Sequence, residues 1–190
     1  EDYSHVYYVD LKPKVTDVAI FCEGGGVGVP AGPAAGTCID GQTGVTHPGG
    51  YGTILIGGFR MGGSCGNCPS GSAPEMSFNV GGTNRKFYSA YFVLDVTDPE
   101  KDPKLLWSFT DANLGLTTSY PAVVRVNPAT DAKTSNSNAQ WFTLFGSGPN
   151  GYDASMPSTP VQTSKIYAVR MDKGPRINGD TTNNTSYVTT

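Results

Sequence analysis

The apolar residues of this chain fall into short runs that are separated by segments rich in glycine, proline, serine and asparagine. No segment of ten or more residues places apolar side chains at helical spacing, whereas β-branched and aromatic residues dominate the runs. The pattern therefore predicts little helix and a series of short strands. The eight predicted strands are 6–10, 15–21, 52–59, 87–96, 104–109, 122–126, 140–146 and 165–170.

The segment 88–111, which reads YSAYFVLDVTDPEKDPKLLWSFTD, is the most informative part of the chain. Its first apolar run stops at Asp95-Val96-Thr97-Asp98-Pro99, and a second run that contains Trp107 comes after it. A β-rich run, a tight Asp/Pro turn and a second β-rich run predict a hairpin. Hairpins with Asp at the end of one strand and Trp in the next are typical of β-propeller blades.

The order of the elements predicts an all-β fold, a partial β-propeller of about two four-stranded antiparallel blades with long loop insertions. A unit made of an apolar strand, a glycine turn, a long insertion and an aromatic strand ending in Asp occurs twice along the chain. In the strand at 141–145 nearly every side chain is bulky, which is expected where a sheet is covered on both faces. Because propellers typically have about four to eight blades, the missing blades are predicted to lie in further sequence or in another chain.

Residues 1–172 are predicted to form one domain, and residues 173–190 a polar tail rich in Asn and Thr. We expect this tail to fray or to pair with a further element. Loops as long as the predicted insertions are usually functional or mobile. The insertions are 23–51, 60–85, 128–139 and 149–163.

The composition supports this picture and excludes two classes of protein. The 25 glycines and 14 prolines are typical of many short strands joined by turns. With a net charge of −3 and no basic cluster, the chain lacks the clustered positive charge that is typical of nucleic-acid-binding proteins. No apolar run approaches the length of about 20 residues that a membrane-spanning helix needs. The start lacks an initiator Met and a signal-peptide pattern, so the chain is predicted to be a piece of a longer protein.

All four cysteines, Cys22, Cys38, Cys65 and Cys68, lie in glycine-rich loop sequence. An even number of loop cysteines favours two disulfides and an oxidising compartment. Pairing Cys22 with Cys38 and Cys65 with Cys68 would close one local loop each, although the sequence permits three pairings. A zinc site is an alternative, but only Cys65 and Cys68 have ligand-like spacing. A redox pair is another, but this pair lies in a Gly/Ser loop and does not open a helix.

The candidate catalytic side chains have structural interpretations. His5 and His47 are interpreted as surface or packing residues, because neither has the context of a nucleophile. Asp95, Asp98 and Asp111 are interpreted as turn caps, since Asp at strand ends and before Pro bonds nearby backbone N–H groups. Carboxylate chemistry or a cation site is the alternative.

Trp107 and Trp141 are interpreted as core residues that fill the space between blades. A platform for a sugar or a peptide is the alternative for these aromatic residues. No catalytic residue, cofactor-binding residue or metal ligand is assigned in this chain.

Several segments, taken together and in order, resemble the PilY-type tip-associated adhesin and biogenesis protein of type IV pili. They are HVYYVDLKPKVTDV (5–18), YGTILIGGFRMGG (51–63), YFVLDVTDPEKDPKLLWSFTDANLGLTTSYPAVVRV (91–126), WFTLFGSGPNGYD (141–153) and KIYAVRMDKG (165–174). The segment 91–126 is the most specific, because its TDP turn, its LLWSF strand, the turn from Asp111 to Gly115 and SYPAVVRV occur together. In this family the C-terminal region is a modified β-propeller.

The resemblance implies a non-enzymatic protein that is exported through the periplasm to the bacterial cell surface and acts at the pilus tip. Such proteins support pilus assembly, counter retraction and contribute to adhesion. The implied partners are pilin or minor pilins, together with further blades or another chain that completes the propeller. The family's calcium loop, of the D-x-D-x-D-G kind, does not occur in residues 1–190. In the family's order it would come after Gly174, so no cofactor is expected within this chain.

Two other functions stay open. One is a propeller fragment of a quinone-dependent dehydrogenase, which would need an acidic cluster around a calcium-bound cofactor on one face of the ring. The sequence identifies no such cluster. The other is a purely structural domain of the cell surface.

Overall fold

The computed structural model describes residues 9–21, 37–39, 44–63, 77–86, 88–111, 113–126, 140–149, 164–172 and 174–175. Within these ranges the chain is all-β and contains no helix, and therefore no helix that could span a membrane. The strands are β1 (Lys14–Ala19), β2 (Thr37–Ile39), β3 (Thr46–Pro48), β4 (Tyr51–Gly58), β5 (Ser77–Val80), β6 (Thr83–Lys86), β7 (Tyr91–Asp95), β8 (Lys104–Phe109), β9 (Ala122–Val126), β10 (Gln140–Gly146) and β11 (Ile166–Arg170).

The larger strands form two antiparallel sheets. Sheet 1 has the order β1-β4-β7-β8, and sheet 2 has the order β11-β10-β9. In each sheet the larger strands pair in the order in which they occur along the chain, which is the arrangement of a meander. Among the described strands neither sheet closes on itself. The sequence predicts two sets of four strands. Sheet 1 has four strands, whereas sheet 2 has three described strands.

Seven of the eight predicted strands are confirmed, as β1, β4 and β7 to β11. The prediction of a strand at 6–10 is not confirmed in its described part, since residues 9 and 10 lie outside any strand.

The predicted loop insertions 23–51 and 60–85 are wrong in part, because they contain two short ribbons, β2-β3 and β5-β6. The β5-β6 ribbon turns at Gly81 and Gly82, whose φ angles are +59° and +83°. Two consecutive left-handed residues make the hairpin turn that matches strand twist, and Asn79 Oδ1 accepts a hydrogen bond from Gly82 N–H at 3.0 Å. This Gly-Gly signal is present in the sequence, but the flanking strands are too short and polar to stand out.

The two sheets pack face to face around a shared core. The side of sheet 1 that faces sheet 2, its inner face, carries Ile54 and Ile56 of β4, Tyr91 and Val93 of β7 and Phe109 of β8, all nearly inaccessible to water. These residues alternate along their strands with less buried ones, which is the period of a β-strand.

Four aromatic rings join the sheets. Tyr91 lies 4.1 Å from Phe145 of β10, and Phe109 lies 4.9 Å from Tyr167 of β11, measured between ring centroids. Phe109 and Phe145 meet at 5.3 Å with an edge-on orientation. Each such ring buries about 150–250 Å², so this cluster provides much of the hydrophobic stabilisation between the sheets.

Hydrogen bonds at both ends of the interface fix how the sheets meet. The hydroxyl of Tyr91 donates to Ser119 O at 2.8 Å, and Gly115 N–H donates to Ser147 O at 2.8 Å. At the other side, Trp107 Nε1–H of β8 donates to Met171 O just beyond β11 at 3.0 Å.

Candidate functional site: two outer faces and a buried His–Asp pair

The outer face of sheet 1, which points away from sheet 2, carries an aliphatic row that crosses all four strands. Val15 pairs with Leu55, Leu55 with Leu94, and Leu94 with Leu105. The end members are well exposed, Val15 at 55% and Leu105 at 56%. Because water-facing sides of antiparallel sheets usually carry polar residues, this face has the character of a surface that another element covers.

A second apolar feature lies on the same face. Phe92 of β7 lies directly over Gly57 of β4, where a Cβ atom would come within 2.3 Å of the Phe92 ring. Phe59 lies 6.2 Å from the Phe92 ring. The absence of a side chain at Gly57 therefore leaves space for the Phe92 ring. Phe92 and Phe59 extend the apolar surface formed by the aliphatic row.

The outer face of sheet 2 is also apolar. Phe142 and Leu144 of β10 point opposite to the buried Thr143 and Phe145. Leu144 pairs with Ala168 of β11 and with Ala122 of β9. In the part of the chain that the structure describes, the two-sheet unit thus presents apolar side chains on both of its outward sides.

A buried histidine–aspartate pair lies where β3 meets sheet 1. Nε2 of His47 lies 3.3 Å from Oδ2 of Asp95, and their side chains are 1% and 2% exposed. The two atoms approach without the angle of a hydrogen bond. The His47 ring stacks on Phe21 at 3.8 Å with an interplanar angle of 1°. The histidine thus contacts one aromatic ring and one carboxyl group.

The surroundings of this pair tie four segments together. Asp95 Oδ1 accepts from Thr97 N–H at 3.0 Å, and Thr97 Oγ1 accepts from Thr53 N–H at 3.0 Å. At Gly52 a Cβ atom would lie 2.7 Å from His47 Nδ1 and 2.5 Å from the Phe21 ring, so only glycine fits. The pair therefore fastens the ribbon β2-β3 to sheet 1. Among the described residues, no group of three or more His, Cys, Asp or Glu side chains lies close enough together to hold a metal ion.

The three aspartates that the sequence singles out each bond the backbone two residues ahead. Asp95 accepts from Thr97 N–H, Asp98 Oδ1 accepts from Glu100 N–H at 3.0 Å, and Asp111 Oδ1 accepts from Asn113 N–H at 2.8 Å. Bonds of this kind are Asx turns. Asp95 and Asp111 also have long-range partners, namely His47 and the Tyr167 hydroxyl at 3.0 Å.

The two tryptophans lie at the core. Trp107 is 9% exposed and belongs to the buried cluster, and Trp141 is partly buried and packs against that cluster. The guanidinium of Arg125 lies 5.8 Å from the centroid of the Trp141 ring. The structure therefore places both indoles against the protein interior.

Several predicted features lie outside the described residues. They include Cys22, Cys65 and Cys68, the side chain of Cys38, His5, the insertion 128–139, most of the insertion 149–163 and nearly all of the tail 173–190. The predicted disulfides therefore stay predictions.

The pairing of His47 with Asp95 was not found from the sequence, because no local pattern links a histidine in an inserted ribbon to the last residue of β7. The apolar outer faces were signalled only in part, by the bulky strand at 141–145. The aliphatic row of sheet 1 needs the register of four strands, which the sequence does not show.

No protein-family model, no curated protein and no solved structure matches this chain. The resemblance to PilY-type proteins accordingly rests on the sequence segments alone.

Proposed function

We propose that this chain is a non-enzymatic interaction and assembly module of a type IV pilus tip-associated protein. In this role it supports pilus assembly, counters retraction and contributes to adhesion at the bacterial cell surface through protein–protein contacts. The observation that carries the proposal is that both outward faces of the two-sheet unit carry apolar side chains, with Val15 and Leu105 of sheet 1 more than half exposed.

The proposed architecture is two neighbouring blades of an incomplete β-propeller. In favour of it, each sheet is a meander in chain order, and the sheets pack face to face through aromatic rings. A ring of blades is completed when a further sheet covers each outer face. The remaining blades come from the rest of the polypeptide or from another chain, and pilin or minor pilins are the proposed partners of the assembled tip.

The buried His47–Asp95 pair fits a structural role in this proposal better than a catalytic one. A general base must reach the proton of a substrate, and both side chains are at most 2% exposed. The ribbon that His47 fastens belongs to the predicted insertion 23–51.

The test uses the complete protein in the bacterium that encodes it, with the aliphatic row changed at its most exposed member. Leu105→Asp places a charge on the outer face of sheet 1, where a covering sheet would have to bury it. Val9→Asp is the matched control, because Val9 is 57% exposed and lies outside the strands. We expect Leu105→Asp to reduce surface pili and adhesion to the level of a deletion strain, and Val9→Asp to leave both unchanged.

Two results would overturn the proposal. One is a deletion strain with normal pili and normal adhesion. The other is formation of a bound quinone spectrum when the protein is incubated with pyrroloquinoline quinone and calcium, which would indicate a dehydrogenase instead.

A further inference from the structure

The hydrogen bonds of β10 fix which of its residues bond to which neighbouring strand. On the β11 side, Trp141 O accepts a hydrogen bond from Met171 N–H at 2.9 Å. On the β9 side, Gly146 N–H donates to Ser119 Oγ at 3.1 Å. Because the bonding direction alternates along an antiparallel strand, the odd-numbered residues of β10 bond to β11 and the even-numbered ones bond to β9.

This alternation leaves one edge of β9 with outward-pointing backbone groups. The even-numbered residues of β9 face Phe142 and Leu144 in the register and bond to them. The N–H and C=O groups of Val123 and Arg125 therefore point away from β10, toward what we call the free edge of β9. Among the described strands none pairs with this edge. An edge with unpaired N–H and C=O groups is a template for another strand.

The free edge of β9 also lies where sheet 2 is one strand narrower than sheet 1. The aromatic contacts between the sheets place β7 on β10 and β8 on β11. Continuing in strand order places β9 opposite β4 and leaves β1 without a counterpart among the described strands of sheet 2. Accordingly, Thr16 of β1 is only half-buried, whereas its partner Ile54 in β4 is inaccessible to water.

Two cationic side chains lie beside this edge, on the sides of the sheets that face each other. Arg125 is exposed, and its guanidinium lies 5.8 Å from the centroid of the Trp141 ring. Toward the start of β9, Lys14 Nζ lies 5.7 Å from the centroid of the Tyr120 ring. Lys14 is on the inner face of sheet 1, because it pairs with Ile56. Among the described ion pairs none includes Lys14 or Arg125.

The outer side of β9 is aliphatic. It carries Ala122, Val124 and Val126, and Val126 is 46% exposed. A strand added at the free edge would place alternate side chains on the two sides of sheet 2. Those on the outer side would extend an aliphatic surface, and those on the inner side would lie near the two cations. Opposite charges across a strand pair are stabilising and like charges are destabilising.

We propose that the free edge of β9 binds an extended segment of a partner protein as the fourth strand of sheet 2. The side chains of this segment alternate between apolar and polar, and the polar positions nearest Arg125 and Lys14 carry carboxylates. Main-chain hydrogen bonds supply affinity in such strand addition, and alternate side chains supply specificity. The inference rests on the proposed function in that the partner is a protein, and it adds the mode of binding and the chemistry of the bound segment.

The test is amide hydrogen exchange measured by NMR on the full chain, with the synthetic peptide VEVTVEV as the probe. In the free chain the Val123 and Arg125 amides should exchange fast, and saturating peptide should slow both by at least about tenfold. The Val124 amide bonds to β10 and is the internal control, since it should be protected with and without peptide. The charge-reversed peptide VKVTVKV should bind at least about threefold more weakly.

A charge reversal on the chain tests the chemistry of the segment. Arg125→Glu should invert the preference, so that VKVTVKV binds more tightly than VEVTVEV. Lys101→Glu is the matched control, because Lys101 is exposed and lies in the turn between β7 and β8. It should leave the preference unchanged. If Arg125→Glu does not fold, the unchanged chain decides, because its affinity for VEVTVEV should fall as salt is added.

Protection of the Val123 and Arg125 amides in the free chain would overturn the inference, since the chain itself would then cover the edge. Protection that grows with the concentration of the chain would also overturn it and would assign the edge to a second copy. Failure of both peptides to bind, equal binding of the two, or a salt-independent affinity would do the same. Pilus formation enters none of these measurements, so the inference and the proposed function fail separately.

Discussion

At the residue scale, the buried polar side chains lie where segments distant in sequence meet. The Tyr91 hydroxyl bonds Ser119 O, the Tyr167 hydroxyl bonds Asp111, and His47 lies against Asp95. The two tyrosine contacts give each hydroxyl an acceptor, and a buried polar atom without one costs about 1–3 kcal/mol. These residues position the sheets and the inserted ribbon relative to each other.

Because of Tyr91, the free energy of unfolding should decrease at alkaline pH. Burial raises the pKa of its phenol well above the ordinary value, and the bonds to Ser119 oppose this only in part. Below about pH 10 the phenol is neutral in both states. Above that pH the unfolded chain ionises while the folded one does not, so the free energy of unfolding falls by up to about 1.4 kcal/mol per pH unit.

Tyr91→Phe removes this effect. The variant should be less stable than the wild type by about 1 kcal/mol near neutral pH, because it lacks one hydrogen bond, and the gap should close or reverse above about pH 11. Urea titrations across this pH range measure it. Tyr51→Phe is the control, since Tyr51 is 47% exposed. A gap that does not change with pH would contradict the prediction.

His47 offers a second test at this scale. His47→Phe can keep the stacking on Phe21 but leaves Asp95 Oδ2 buried without its polar neighbour, so we expect a loss of about 1–3 kcal/mol in the free energy of unfolding. His47→Ala should cost more, because the stacking is also lost. Urea unfolding measures both, with the exposed neighbour Thr46→Ala as the control. A His47→Phe variant as stable as the wild type would show that the contact with Asp95 has no energetic weight.

At the element scale, the strands of the two sheets follow from the local pattern of apolar and polar residues. Their connections depend on contacts that the sequence does not show. The predicted hairpin is β7-β8, and its Asp turn forms as the sequence indicates. The segment 114–118 is different, since it runs beside the end of β10. Leu116 N–H donates to Pro149 O at 2.7 Å. Backbone approaches this close leave no room for a side chain at certain positions.

Gly115 is such a position. A Cβ atom there would lie 2.0 Å from Pro149 O, a backbone atom that cannot move aside without shifting the chain. Gly115→Ala should therefore lower the free energy of unfolding by about 1–3 kcal/mol or more. Gly146→Ala is the matched control, since its nearest contact is an ordinary 3.8 Å. Thermal unfolding of both variants measures the difference, and equal midpoints would contradict this role for the glycine.

At the scale of the whole molecule, the described residues of the two sheets share one core. Tyr91 and Phe109 of sheet 1 interlock with Phe145 and Tyr167 of sheet 2. Neither sheet can keep its inner face away from water without the other. Small domains with a single core usually unfold in one cooperative step.

The tryptophans can report on each sheet separately. Trp107→Phe leaves Trp141 of sheet 2 as the only indole, and Trp141→Phe leaves Trp107 of sheet 1. In each variant we expect the fluorescence transition in urea to coincide with loss of the β-sheet circular dichroism signal, because the shared core couples the sheets. A transition of one sheet that precedes the circular dichroism change would indicate that the sheets unfold independently.

The sequence by itself determined the all-β class, seven strands and the Asp turns at Asp95, Asp98 and Asp111, because these depend on period-2 alternation and on bonds between near neighbours. Only the tertiary structure decided the pairing of His47 with Asp95, the glycine at 115 and the aliphatic row from Val15 to Leu105. Each of these joins residues from different strands or connections. Strand register and packing bring these residues into contact, and no local sequence pattern predicts those contacts.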